Sequence, residues 1–318
     1  MFKLKNFEFS ASDISGIVEA NLIGEDLLIN SLQKLGCEKG NSVIICYDND
    51  KKMLNDVKCR CLVFCSPKTV TNNSLLSYIV SDNFELLFFR FIKEYLIGET
   101  DYWVSEIIST NSTNYPEVDF GYNVKIGKNV IIAPGSSVGN NTIIGNNIVI
   151  RSNVSIGANC LIKDNTVIGS EGFGFISSED GYVHIPQIGN IKIGNDVIIG
   201  SNCTIEKPTL GYTIIGNCVK IDDLVQIGQN QEIGEKSIIA TGFKAEAGVK
   251  IGSNSFIGMG VTIISGKIRV GNNCIIGAGT ILTKSVNDNI VVHGKILLVT
   301  DDVNKKLNSL MANYRKIS

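Results

Sequence analysis

From Ile126 to Leu282 an aliphatic residue recurs every six positions. The first run is Ile126, Ile132, Val138, Ile144, Ile150, Ile156, Ile162 and Ile168, with no slip. Gly often follows it, as in Ile126-Gly127, Ile144-Gly145 and Ile156-Gly157. The fifth position of each hexad is small or β-branched: Val130, Ser136, Thr142, Ile148, Val154, Cys160, Thr166. A period of six fits no α-helix. It fits a parallel β-helix whose coil has three short flat strands, one hexad per side. The aliphatic residue points inward and stacks on its equivalents above and below. The small fifth residue fits the tight corner, where Gly or Asn takes backbone shapes that other residues avoid.

The breaks are as informative as the repeat. After Ile168 the period stops, and residues 169–191 carry Gly172-Phe173-Gly174-Phe175 and Gly181-Tyr182-Val183-His184-Ile185-Pro186-Gln187. It resumes at Ile193, Ile199 and Ile205, and Gly211-Tyr212-Thr213 then shifts the phase. A second run goes from Ile215 through Ile221, Ile227, Ile233, Ile239, Ala245, Ile251 and Ile257 to Ile263; one more slip gives Ile264, Val270, Ile276 and Leu282. An insertion into a solenoid loops out at a corner and leaves the core intact, so function is commonly added there.

Residues 1–105 lack the hexad period. Ser42 to Cys46 and Cys61 to Cys65 read as buried strands. Asn83 to Leu96 has helical spacing at Leu86, Phe89, Ile92 and Leu96, with Asn83 as a cap. This predicts a small α/β domain, joined by a polar linker (106–117) to a β-helix over 118–294. Residues 295–318 have apolar spacing at Val303, Leu307, Leu310, Met311 and Tyr314 and predict a C-terminal amphipathic helix. The fold class is therefore mainly β. Outward apolar residues such as Val149, Ile198 and Ile275 call for another subunit.

Composition narrows the setting. A net charge of −2 offers no bulk attraction to nucleic acid. The N-terminus has no apolar signal core, and no apolar run is long enough to span a bilayer. Nine cysteines with no C-x-x-C pair read as reduced fillers of a cytoplasmic protein. Only two histidines are present, His184 and His293, far apart in sequence. A three-histidine metal site is thereby excluded, and no metal or bound cofactor is expected. The first domain has no Gly-rich phosphate loop, which argues against nucleotidyl transfer.

The segments Ile168 to Phe175 and Ile185 to Gly189, with Thr204-Ile205-Glu206, Ile214 to Asn217 and Lys220 to Ile227, resemble the UDP-3-O-acylglucosamine N-acyltransferases of lipid A synthesis. The resemblance reaches back to Ser42–Leu54 and Cys61-Leu62-Val63, and so touches nearly the whole chain. It implies a left-handed coil, contrary to the usual crossover rule, and a homotrimer. It also implies acyl transfer from an acyl-CoA or acyl carrier protein thioester to the amine of a nucleotide-linked sugar.

The departures fall where that family meets its substrates. The family's catalytic histidine follows the stretch matching Gln226-Ile227-Gly228, where this chain has Gln229. An amide has no useful proton affinity. A second family histidine matches Lys267, and the acidic-Arg pair is here Glu206-Lys207. The aromatic pair around uracil falls on Ile44 and Asp50, leaving Tyr47, with Asn49 nearby, to stack on a base. The pattern suggests a retuned acceptor, preferably a dTDP-linked amino-deoxyhexose for surface polysaccharide rather than a UDP sugar, as in the similar anthrose-pathway N-acyltransferase. The lipid A enzyme itself and a non-catalytic sugar-nucleotide scaffold are the alternatives.

Without the histidine, two routes stay open. Positioning and backbone N–H groups can carry most of the rate with a sugar amine that is already free base. Alternatively a replacement base acts: Glu206, Asp222, Asp223, Glu246 or His184. Each carboxylate also reads as a solvated surface charge, and His184 as a loop residue. Gln187, Gln226 and Asn230 are expected acceptor contacts, and Lys267 a diphosphate contact or an ordinary surface lysine. Phe173 and Phe175 either wall an acyl channel or pack the insertion. Gly242, Gly277, Ala278 and Lys284 resemble pantetheine-binding positions.

Overall fold

A computed structural model describes residues 7–36, 39–97, 115, 117–179 and 181–294. The expected C-terminal helix, and the linker apart from Tyr115 and Glu117, lie outside the described residues.

Residues 118–294 wind into a β-helix with three flat faces. The first is an eight-stranded parallel sheet and the second a nine-stranded one, while the third is split into five and three strands. Ile143 pairs with Leu161 and Ile144 with Ile162, so one coil takes 18 residues, three hexads. The register is fixed by burial: one aliphatic per hexad points inward, and Ile144, Ile162, Ile199, Ile221, Ile239 and Ile257 stack at 2% exposure or less. The small fifth residues line the corners inside. Thr142 Oγ1 donates to Gly157 O and accepts from Cys160 N–H, and Thr166 does the same with Gly200 and Cys203. Burial pushes the Cys160 and Cys203 thiols up, which suits inert fillers.

All three corners carry residues in the left-handed region. Asn129, Asn147 and Asn165 have φ of 55°, 54° and 60° and pass side-chain amide bonds from coil to coil. This column runs along the edge between the second and third faces. Further on it becomes Asn202, Leu224, Gly242, Gly260 and Gly279. It is called the glycine edge below.

Everything irregular leaves at another corner, between the third and first faces. Insertion 169–191 leaves after the strand Val167–Glu171, and Pro208–Gly211 leaves after Thr204–Lys207. The slip near Ile264 is there too. Ile263 is the inward residue, and Ile264 is 53% exposed at the corner rather than opening a new hexad as the spacing suggested. This corner is called the insertion edge.

The N-terminal residues form a five-stranded sheet in the order Asn21–Ile23, Leu76–Val80, Cys61–Cys65, Ser42–Ile45, Ser31–Leu32, with only the first strand antiparallel. Alternation sends Val43, Ile45, Leu62 and Phe64 to one side, under helix Phe84–Phe91, and Ile44, Cys46, Val63 and Cys65 to the other. The predicted cap Asn83 makes no side-chain bond to the helix, and the helix continues as a π-turn over Ile92–Ile97. Ile188 is buried in the first of these cores, and Ile176, Ile185 and Leu210 pack against it. The insertion edge is thus joined to the N-terminal sheet by apolar burial. Among the described residues no helix is long and apolar enough to cross a membrane.

Leu224 departs from its own column. Its φ is +59° and it is 62% exposed, so its side chain recovers little for the strained backbone. Replacing Leu224 with Asn, as at Asn202 one coil away, is expected to raise stability by about 1 kcal/mol. A shift of the urea midpoint to higher concentration at constant slope checks this.

Candidate active site

The docked insertion leaves a cleft of about 370 Å³ between the N-terminal sheet and the insertion edge. Ile45, Tyr47 and Asp50 line it from the sheet side, Lys34 from the loop before it, and Ile185 and Asn230 from the solenoid side. Ile44 does not face it. That side chain is fully buried on the opposite side of the sheet, so the position inferred for a base-stacking contact is a core position. Tyr47 is on the correct side: its ring meets Phe84 edge-on and its hydroxyl donates to Glu85 Oε1 at 2.9 Å. Asn49 is exposed on the 3₁₀ turn Asp48–Asp56 and is not part of the lining.

Asn230 sits at a corner position with φ +58°, which is reason enough for an Asn. Its backbone N–H donates to Thr213 Oγ1, and its Oδ1 is buried without a partner among the described residues. Gln187, by contrast, is a structural residue. It is fully buried, its Nε2 donates to Ile185 O, and its Oε1 accepts from Thr209 Oγ1.

Beside the cleft the third-face ladder is bulged. Ile168 pairs with Ile205, the register shifts at Gly169 (φ +95°), and then Ser170 pairs with Glu206 and Glu171 with Lys207. Cross-strand partners share a side, and successive residues alternate. Ser170 and Glu206 therefore form one group, and Glu171 and Lys207 another.

In the first group Glu206 Oε1 accepts from Gln226 Nε2 at 2.7 Å, and the carboxylate also accepts the backbone N–H of Gln229. Burial pushes the Glu206 carboxyl above its ordinary value, partly offset by these two donors. Glu206 is thus a half-buried carboxylate and not a solvated surface charge. Gln229 is fixed from the insertion side: a methyl at Gly172 would lie 2.6 Å from Gln229 Oε1. The Gln229 Oε1 and Ser170 Oγ atoms are buried and have no partner among the described residues.

In the second group His184 Nε2 lies 3.3 Å from Glu171 Oε2, opposite fully buried Lys207 on the ladder. Glu171 favours the charged ring. Burial, and after it the charge of Lys93 in the N-terminal unit, nonetheless holds the imidazole below its usual range. His184 thereby belongs to the joint between the hairpin and the N-terminal unit.

The other sequence candidates separate. Asp222, Gly242, Gly277 and Ala278 lie on the glycine edge, across the whole third face from Gln229. Asp222 and Asp223 therefore cannot serve a site at Gln229 in the same chain. Lys267 and Lys284 are exposed on the insertion edge, two and three coils beyond Gln229. Successive coils are about 4.8 Å apart, so Lys267 starts about 10 Å from that level. Glu246, one coil on, accepts the Gly266 N–H. Phe173 and Phe175 touch each other at 4.9 Å between ring centroids, but Phe173 is 91% exposed and neither lines the cleft. Ser170, Glu171 and Lys34 were not singled out by the sequence. The first two depend on the bulge at Gly169, and Lys34 comes near only because it lies against Gly211.

The lowered proton affinity of the half-buried His184 makes stability depend on pH. The unfolded imidazole takes a proton below about 6.5, which the folded one resists. Stability is full above that value and is lost as pH falls through the lowered folded value. The melting temperature is expected to fall between pH 7.5 and 5.5, and His184→Gln to flatten that fall.

Comparison with known proteins agrees with this architecture. The bacterial transferase hexapeptide family (six repeats) matches residues 135–170, and the hexapeptide repeat of succinyl-transferase matches 225–265 and 248–284. The chain is 42% identical over 120 residues to a UDP-3-O-acylglucosamine N-acyltransferase of Coxiella burnetii, covering 37% of this chain and 35% of that protein. It is 52% identical over 83 residues to the enzyme of that name from Chlorobium chlorochromatii, covering 26% and 22%. The matches thus span about a third or less of these relatives. Among solved structures, LpxA of Acinetobacter baumannii aligns over 57% of this chain and 68% of its own, at 21% identity and a TM-score of 0.51. A UDP-N-acetylglucosamine acyltransferase aligns over 65% and 82%, at 20% and 0.52. The last two show the fold. This chain is a left-handed β-helix of hexapeptide repeats that resembles the hexapeptide-repeat acyltransferases, UDP-3-O-acylglucosamine N-acyltransferase among them.

Proposed function

We propose that this protein is an acyltransferase that moves an acyl group from a CoA or acyl carrier protein thioester to the amine of a nucleotide-linked amino sugar. One observation carries the reading: the cleft is walled on one side by the N-terminal sheet and on the other by the solenoid edge that holds Gln229 and Asn230. A nucleotide bound there stacks its base on Tyr47, has Lys34 for its phosphates, and extends its sugar past Asn230 toward Glu206 and Gln229. Asn230 Oδ1, buried and without a partner among the described residues, offers the sugar an acceptor.

The donor belongs on the glycine edge. Beyond Leu224 the Asn column gives way to Gly242, Gly260 and Gly279. A side chain at Gly260 or Gly279 would meet nothing, and Met259 and Ile281 stand exposed beside the column. That leaves an open strip with apolar walls, suited to a pantetheine arm. The third face separates this strip from Gln229 by about six extended residues, or about 20 Å. A homotrimer, in which the glycine edge of one chain meets the insertion edge of the next, removes the separation and gives exposed Phe173 a neighbour.

The preferred acceptor is a dTDP-linked amino-deoxy sugar for surface polysaccharide, because the aromatic pair around uracil in the lipid A enzymes falls on Ile44 and Asp50 and leaves Tyr47 for the base; Gln229, where those enzymes carry a histidine, argues against the lipid A reaction itself. The lipid A reaction remains the second reading, favoured by the sequence similarity over about 120 residues to enzymes of that name. The two separate in a panel of UDP- and dTDP-amino sugars and UDP-3-O-acylglucosamine, tested with several acyl-CoAs and acyl carrier proteins while following thiol release. Turnover of a dTDP-amino sugar with none of UDP-3-O-acylglucosamine is expected. The reverse result supports the lipid A reading, and a silent panel supports a binding scaffold. Tyr47→Ala is expected to raise the KM for the nucleotide sugar about fivefold, from the loss of about 1 kcal/mol of ring contact.

A further inference from the structure

We infer that Glu206 is the general base of this site and that Ser170, Glu206 and Gln229 together form an acceptor-rich niche for the substrate's amino group. The inference rests on the acyl-transfer reading and adds to it the residue that takes the proton.

The geometry has three parts. Glu206 is half-buried at the insertion edge, with its carboxylate aimed by Gln226 Nε2 at 2.7 Å and by the Gln229 N–H. Two donors leave part of a carboxylate's capacity of about four acceptor sites unfilled. The residues flanking it contribute two more polar atoms that the described chain does not satisfy, Ser170 Oγ and Gln229 Oε1. A buried polar atom without a partner is costly, so two beside one carboxylate mark a place completed by a ligand. That ligand must bring several N–H donors. An amine on its way to becoming an ammonium does so, whereas a hydroxyl brings one. The niche therefore selects N-acylation over O-acylation.

The balance of the step is simple. The amine nitrogen attacks the thioester carbonyl and forms the C–N bond. Its excess proton passes to the Glu206 carboxylate, the C–S bond breaks, and Glu206 returns the proton to the departing sulfur. Amine and thioester become amide and thiol, with no further reactant. Burial suits Glu206 to this work, since a carboxyl raised above its ordinary value is a better base than an exposed one. The backbone contact from Gln229 also explains how this position can serve without an imidazole: its N–H orients the carboxylate one coil away.

The test uses the full-length protein with an amino-sugar nucleotide that the wild type turns over. Glu206→Gln keeps the shape and is expected to lower kcat about 10²–10⁴-fold, with the KM for the nucleotide sugar within about threefold. The wild-type kcat/KM should show an acid limb from a carboxyl held above its ordinary value, and Glu206→Gln should lose that limb. Gln226→Met, at an exposed position, gives an independent reading. It removes a hydrogen bond that holds the Glu206 carboxyl down, so the acid limb should move to higher pH. Glu206→Gln retaining kcat within about threefold, or an acid limb unmoved in Gln226→Met, would overturn the assignment while leaving acyl transfer standing. A wild type silent with every amine would overturn acyl transfer and this assignment together.

Discussion

The inside of the coil admits one aliphatic side chain per face per turn, and the rest of the molecule follows from that limit. Ile144, Ile162, Ile199 and Ile221 stack with no room for an extra residue between them. A slipped residue would turn the aliphatic outward and a neighbour inward. Every insertion must therefore leave at a corner. In this chain the insertions at 169–191 and 208–211 and the slip near Ile264 all leave at the same one. The opposite choice, insertions spread over three corners, would have kept the same core and made no site.

Concentration at one edge has two consequences. Ile176, Ile185, Ile188 and Leu210 are brought together and bury against the N-terminal sheet, so apolar contact fixes the height at which that sheet sits. The cleft is the gap left beneath the contact. The same edge also carries the bulge at Gly169, which sorts neighbouring charged residues into two groups. Glu206 faces Gln226 and Gln229, while Glu171 and Lys207 face the joint, with His184 over them. Residues adjacent in sequence thus have different work, and the bulge makes the division.

The two edges also divide the labour of the solenoid. An Asn ladder holds the corner between the first and second faces, where Asn123, Asn141 and Asn159 each donate to the next residue along the column. On the glycine edge a like ladder gives way to glycines with open space before them. On the insertion edge Asn230 keeps the corner geometry but its side-chain oxygen has no partner among the described residues. Where function is proposed, the repeat keeps its backbone and gives up its side-chain bonds.

The hexad period by itself determined the β-helix, its inward residues and the places where insertions leave, because burial inside a uniform coil is a local rule repeated along the chain. In the N-terminal unit, which has no hexads, short apolar runs marked the two strands Ser42–Ile45 and Cys61–Cys65, both fully buried. Which corner each hexad reaches was not legible in the same way. Asp222 and Gln229 are one hexad apart and lie on different edges, whereas Glu206 and Gln229 are far apart in sequence and bonded. Nor were the partners of Gln187, the inward turn of Ile44, or the approach of Lys34 to Gly211. These depend on strand parity, on one bulged glycine and on the docking of two units, and such long-range contacts leave no periodic mark in the sequence.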